Sequence, residues 1–282
     1  MRRGSGRSYI VTKLVFNVFG PLSPVHLKKL LRRLPSPIYR ILQRINRRFH
    51  VPNRAPSAAP NPGPMLTNVA PRIAAIPGWF NLDDLSHFTL VLETQTTSGM
   101  HGDLLEIGCY HGRSAAVLAM HLQAGERLCL ADAFDLPLSD PYGDTPTPET
   151  VWRNLEVAVP NLPRQRICIE RGYSSDLQLP ADMRVRFAHI DGGHDEATVW
   201  QDLELCAHRM VSGGVMAIDD YAHPLYPGVT DAVKKFLGSD ASFRVLADLN
   251  RSGALGRKLY LAKKHRSNVI SDEKQAAVFL SR

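Results

Sequence analysis

The sequence predicts an α/β protein with a doubly wound, mostly parallel sheet of seven strands, preceded by a basic helical N-terminal extension. Three observations predict it. From residue 83 onward, short apolar runs alternate with helical segments, the pattern of βα units on a parallel sheet. Four of the runs end at Gly108, Asp132, Asp191 and Asp219, and the carboxyl ends of strands are where such sheets bind ligands. Charge also divides the chain. Residues 1–82 hold 14 of the 34 Lys and Arg and none of the 27 acids, so the other 200 residues carry 20 basic against 27 acidic side chains.

A length of 282 residues suits one α/β domain of roughly 200 residues with an appendage. The hydrophobic share of 44% allows a sizeable core. Cys109, Cys129, Cys168 and Cys206 show no CxxC spacing, which argues against a disulfide framework or zinc site and fits a reducing cytoplasm. The net charge of +7 belongs to the leader. The acidic body is not that of a nucleic-acid binder. No apolar run reaches the ~20 residues of a bilayer span, since Lys13 and Asn17 interrupt Tyr9 to Phe19. Met1-Arg2-Arg3 resembles a signal-peptide n-region, but no apolar core and cleavage site follow.

Residues 22–49 read as two basic amphipathic helices broken at Pro35 and Pro37, with Ile38, Ile41, Leu42, Ile45 and Phe49 on one face. Such a segment suits peripheral contact with the inner membrane surface, or packing on the body or on a partner chain in a homo-oligomer. Residues 51–64 hold five prolines and read as a linker. The expected organisation is an extension and linker over 1–64, the main domain over 65–265 and a tail over 266–282.

Within that domain, helices are expected over 83–97, 114–123 and about 148–158, 195–210 and 228–237. Strands are expected over 104–107, 127–131, 166–170, 185–190, 215–218, 243–249 and 258–262, the last two around a Gly-containing loop. Gly108 and Gly112 bracket the turn after the first strand, where glycine lets backbone approach a ligand and Ser114 opens a helix with free N–H groups. Tight βα turns need glycine for structure as well. The spacing is GxxxG, not the GxGxxG of dinucleotide sites. Asp132 lies 26 residues beyond Glu106, the position of an acid that accepts from both ribose hydroxyls. Asp135 competes for the role, and a helix cap would also use an Asp here. Glu106-Ile107-Gly108, Gly112 and Ser114 resemble the first motif of the class I methyltransferases. That resemblance implies S-adenosylmethionine as cofactor, with Glu106 toward its methionine end and Ser174 and Ser175, in the turn after the third strand, near the adenine. Serines also form turns unaided.

The fourth strand runs into Asp191-Gly192-Gly193-His194 and the fifth into Asp219-Asp220. Carboxylates this close resist ionising together, and a hard divalent cation such as Mg²⁺ resolves the conflict. Helix caps and loop hydrogen bonds are the structural alternative. The segments His189 to His194, Asp202, Gly213-Gly214 and Asp219-Asp220 resemble the catechol-type O-methyltransferases. They are closer still to a bacterial family of macrocin- and mycinamicin-type sugar O-methyltransferases. The resemblance covers about residues 80–262. It implies that Asp191, Asp219 and Asp220 bind the metal, which as a Lewis acid acidifies a substrate hydroxyl, and that His194 removes the proton. Catechol-type enzymes have lysine there. His223 is a reserve base or ligand. The acidic, Pro-rich stretch 134–150 reads as a lid over the substrate, with Tyr142 and Trp152 as flat surfaces, or as a passive insertion. The acceptor implied is a small-molecule hydroxyl, on a sugar or glycoside. The alternatives are a metal-independent methyltransferase, an NAD-binding oxidoreductase, disfavoured by the glycine spacing, and a noncatalytic membrane-associated protein.

Overall fold

A computed structural model describes residues 63–137, 144–251 and 254–265. The basic stretch 22–49, most of the Pro-rich linker, Tyr142 and the tail 266–282 lie outside the described residues. The described elements are α1 (Gly63–Ala74), α2 (Leu82–Thr97), β1 (Asp103–Ile107), α3 (Arg113–Met120), β2 (Leu128–Asp132), α4 (Pro148–Ala158), β3 (Ile167–Arg171), β4 (Val185–Ile190), α5 (Glu196–Arg209), β5 (Met210–Tyr221), α6 (Pro227–Ser239), β6 (Phe243–Leu249) and β7 (Arg257–Lys263).

The seven strands form one sheet in the order β3-β2-β1-β4-β5-β7-β6. The first five are parallel, and β7 runs antiparallel between β5 and β6. The strand order therefore reverses between β1 and β4, the switch point at which doubly wound sheets leave a crevice. Adjacent residues of β1 feed opposite cores. Leu104 joins the layer packed under α1 to α4, while Leu105 joins the layer under α5 and α6. That alternation with both faces covered accounts for a β1 that is buried at every position.

The expected strands and later helices are present within a few residues. Three local differences have physical causes. The helix after the glycine turn stops at Met120, where His121 accepts the C-cap position and its Nδ1 bonds the Val117 carbonyl. β5 begins at Met210, five residues before the apolar run, because backbone pairing with β4 continues across an irregularity near Gly213 and Gly214. α1, unforeseen in the sequence, starts among prolines and carries Pro71 inside it. No helix of the described residues is long and apolar enough to cross a membrane.

Candidate active site

The tips of β1, β2, β4 and β5 border a cavity of about 1060 Å³. Gly108 makes this crevice geometrically possible. Its φ is +85°, and a Cβ there would sit 1.9 Å from the Asp191 carbonyl oxygen, so β1 and β4 can approach only around a glycine. Asp132 closes the β2 side. Its two oxygens accept from the Tyr110 and Phe134 amides, both at 2.7 Å, which fixes the carboxylate facing the cavity. Burial pushes its carboxyl above the usual range. Its competitor Asp135 is exposed and pairs with Arg171 at 2.5 Å. Of the residues expected around a cofactor, Gly108, Asp132, Ser174 and Ser175 line the cavity. Gly112 and Ser114 lie behind it, where Gly112 (φ +85°) packs against Val151 and starts α3. Glu106 is fully buried and accepts from His189 Nδ1 at 2.6 Å.

The four residues expected to do chemistry, Asp191, His194, Asp219 and Asp220, line the same cavity. Asp191 and Asp219 adjoin: together with His189 they present ligand atoms within 4.8 Å of one another. Burial and then the Asp219 carboxylate push the Asp191 carboxyl well above the usual range. Asp219 goes the other way. Burial alone would raise it, but Lys258 Nζ at 2.6 Å and Arg251 Nη2 at 2.5 Å hold it ionised. Asp220 turns aside in a left-handed conformation, φ +52°, with Oδ2 3.5 Å from His194 Nε2. Such backbone strain persists only where the surroundings impose it, and here Gly256 packs directly on the Asp220 Cα. The His194 ring stacks on Tyr226 at 3.8 Å with 8° between planes, and His223 stacks on Tyr226 at 4.4 Å.

Three charged residues of this cluster were not foreseen. Asp84, at the N3 position of α2, exchanges capping hydrogen bonds with Asn81 and lies 3.4 Å from Arg251 and 3.7 Å from Lys258. Lys258 shares the inward face of β7 with Tyr260 and Ala262. A lysine opening the otherwise apolar strand run Lys258-Leu-Tyr-Leu-Ala was the available signal, because a buried ammonium requires carboxylate partners.

The donor set fits a divalent cation. Around Asp219, four carboxyl groups (Asp84, Asp191, Asp219, Asp220) face two cations (Lys258, Arg251), so acidic groups outnumber basic ones beside the cavity. Oxygen ligands are those that Mg²⁺ and Mn²⁺ prefer.

One wall of the cavity, beside the tip of β2, is aromatic. Trp79 lies against Tyr110, ring centroids 5.2 Å apart, and both line the cavity. Arg113 holds this wall by donating to the carbonyls of Ala74, Ile76, Gly78 and Phe80. Trp152, expected at the substrate, does not line the cavity. It packs on the core with Arg164 4.5 Å over its ring. From the acidic loop, Phe134, Leu136, Pro137, Asp144, Thr145 and Pro146 do line it.

Residues 105–221 match a protein family described as a methyltransferase domain. No curated protein matches the chain. Among solved structures, the O-methyltransferase NovP aligns with a TM-score of 0.54 at 18% identity, over 66% of this chain and 81% of NovP. Cofactor-bound Rv0187 from MTB aligns at 0.52 and 15% identity, over 82% and 98%. CalS11, a TDP-rhamnose 3'-O-methyltransferase of calicheamicin biosynthesis, aligns at 0.50 and 18%, over 88% and 98%.

Proposed function

We propose that this chain, whose residues 105–221 match a methyltransferase domain family, transfers the methyl group of S-adenosylmethionine to a hydroxyl of a small molecule, of the sugar or glycoside class. The observation that carries this reading is one cavity with two chemically distinct ends. At the first end, Asp132 is held by two amides, leaving lone pairs for ribose hydroxyls, with Ser174 and Ser175 as adenine contacts and the Gly108 turn allowing close approach. At the second end, Asp191, Asp219, Asp220 and His194 surround the acceptor. The O-methyl and sugar assignments are supported by what NovP and CalS11 are described as doing.

His194 accepts the hydroxyl proton at Nε2, and Asp220 at 3.5 Å stabilises the imidazolium that results. The acceptor oxygen then forms a bond to the methyl carbon. The carbon–sulfur bond breaks with its electron pair going to sulfur, and S-adenosylhomocysteine leaves. Tyr226 keeps the imidazole ring in plane. A divalent cation held by Asp191, Asp219 and Asp220 would supply Lewis acidity that lowers the acceptor's pKa. A metal-independent reaction is the second reading, favoured by Lys258 and Arg251 already compensating Asp219.

Transfer of a labelled methyl group from S-adenosylmethionine into a panel of glycosides and catechols tests the proposal, run with chelator and with Mg²⁺ restored. Activity that chelator leaves intact selects the second reading. Calorimetry in which NAD binds and S-adenosylhomocysteine does not would remove the methyltransferase reading altogether.

A further inference from the structure

Lys258 is fully buried on β7. Its Nζ lies 2.6 Å from Asp219 Oδ2, 3.1 Å from His189 Nε2 and 3.7 Å from Asp84 Oδ1. His189 is equally buried, and its Nδ1 is engaged by Glu106 at 2.6 Å. With Nδ1–H donating to Glu106, the lone pair on Nε2 accepts from the ammonium. Among the described residues, His189, Asp191 and Asp219 are the trio whose ligand atoms are spaced for a metal ion. Two members of that trio, the imidazole and Asp219, are the groups that the ammonium already holds.

We infer that Lys258 selects the metal. Its ammonium takes the imidazole lone pair and one oxygen of Asp219, so a divalent cation entering the cavity meets carboxylate oxygens and not the His189 nitrogen. The inference rests on the metal-assisted reading above and deepens it. A site of oxygen ligands suits Mg²⁺ and Mn²⁺, whereas a histidine nitrogen favours Co²⁺, Ni²⁺ and Zn²⁺. The same ammonium sets one positive charge against the carboxyl groups of Asp219 and Asp84. Without it, imidazole and carboxylates become a mixed nitrogen–oxygen site of higher charge.

The test compares the full chain with Lys258→Met, which keeps side-chain length and removes the charge. Both are titrated calorimetrically with Mn²⁺ and with Co²⁺, and the Mn²⁺-loaded samples are examined by electron spin echo for the nitrogen coupling of a bound imidazole. The wild type is expected to bind Mn²⁺ without nitrogen coupling. Lys258→Met is expected to acquire that coupling and to raise the Co²⁺-to-Mn²⁺ affinity ratio by about tenfold or more. Nitrogen coupling in the wild type overturns the inference, as does an unchanged ratio in a folded Lys258→Met, or binding of neither ion to either protein. Should Lys258→Met not fold, Asp84→Asn/Lys258→Met removes one charge of each sign and takes its place. A parallel titration with S-adenosylhomocysteine separates the two levels, because its failure to bind the wild type sinks the methyltransferase reading whatever the metals do.

Discussion

His194 is built to act from a fixed ring. Tyr226 lies flat against it and Asp220 stands 3.5 Å from Nε2, so its loss should touch chemistry more than binding. His194→Ala is expected to lower kcat by about 10²–10⁴ and to leave the calorimetric affinity for S-adenosylhomocysteine unchanged. A comparable drop in that affinity would mean that the residue binds cofactor and is not the base. A second residue carries a pH signature. Asp202 on α5 is 1% exposed, and burial pushes its pKa up to about 7 against the opposing pull of the Ser174 hydroxyl. The folded protein thus keeps a proton that the unfolded chain releases near pH 4. Stability conferred by that proton is full at low pH and is lost as pH rises to 7, by roughly 4 kcal/mol. Asp202→Asn should therefore melt higher than the wild type at pH 8, with the two converging near pH 4. Equal melting temperatures at pH 8 would show that Asp202 is ionised and satisfied in the fold.

At the scale of elements, the sheet was legible because its strands are short, apolar and bounded by Gly or Asp, and because burial on both faces makes them continuous apolar runs. The acids at strand tips were legible for the same reason: a strand's end is fixed by its apolar run, so the residue after it must enter the crevice. α1 escaped notice because its prolines mimic a linker, and its place in the fold depends on a tertiary contact that no local pattern encodes. That contact is Arg113, whose guanidinium gathers four carbonyls from the α1–α2 connection. Lys258 and Asp84 escaped notice similarly, since they meet from elements 174 residues apart in sequence only after β7 is inserted beside β5. Arg113→Met removes the clamp while keeping an unbranched side chain. It is expected to cost on the order of 3 kcal/mol, lowering the melting temperature by about 6–12 °C, and to increase access of a fluorescence quencher to Trp79. An unchanged melting temperature would mean that the α1–α2 connection is held by its apolar contacts alone.

For the whole molecule, the proposed cofactor cavity is formed by residues from four strand tips and the loops beyond them, spread from Trp79 to Leu255. A ligand that fills it binds the folded chain and not the unfolded one, in which Asp132, Ser174 and the Gly108 turn are scattered. Binding free energy then becomes folding stability: at a ligand concentration of 100 times Kd the gain is about 2.7 kcal/mol. For a domain of this size each kcal/mol corresponds to about 2–4 °C. S-adenosylhomocysteine at that concentration should raise the melting temperature by roughly 5–10 °C, as should S-adenosylmethionine, while NAD at the same concentration should not. Asp132→Ala provides the internal control, since it removes the proposed ribose acceptor while Glu106, His189 and the carboxylate cluster stay in place. The shift should shrink sharply in that variant at unchanged ligand concentration. A full shift in Asp132→Ala would mean that the ligand sits elsewhere in the cavity, and an NAD shift equal to that of S-adenosylhomocysteine would mean that the crevice reads only the adenosine the two share.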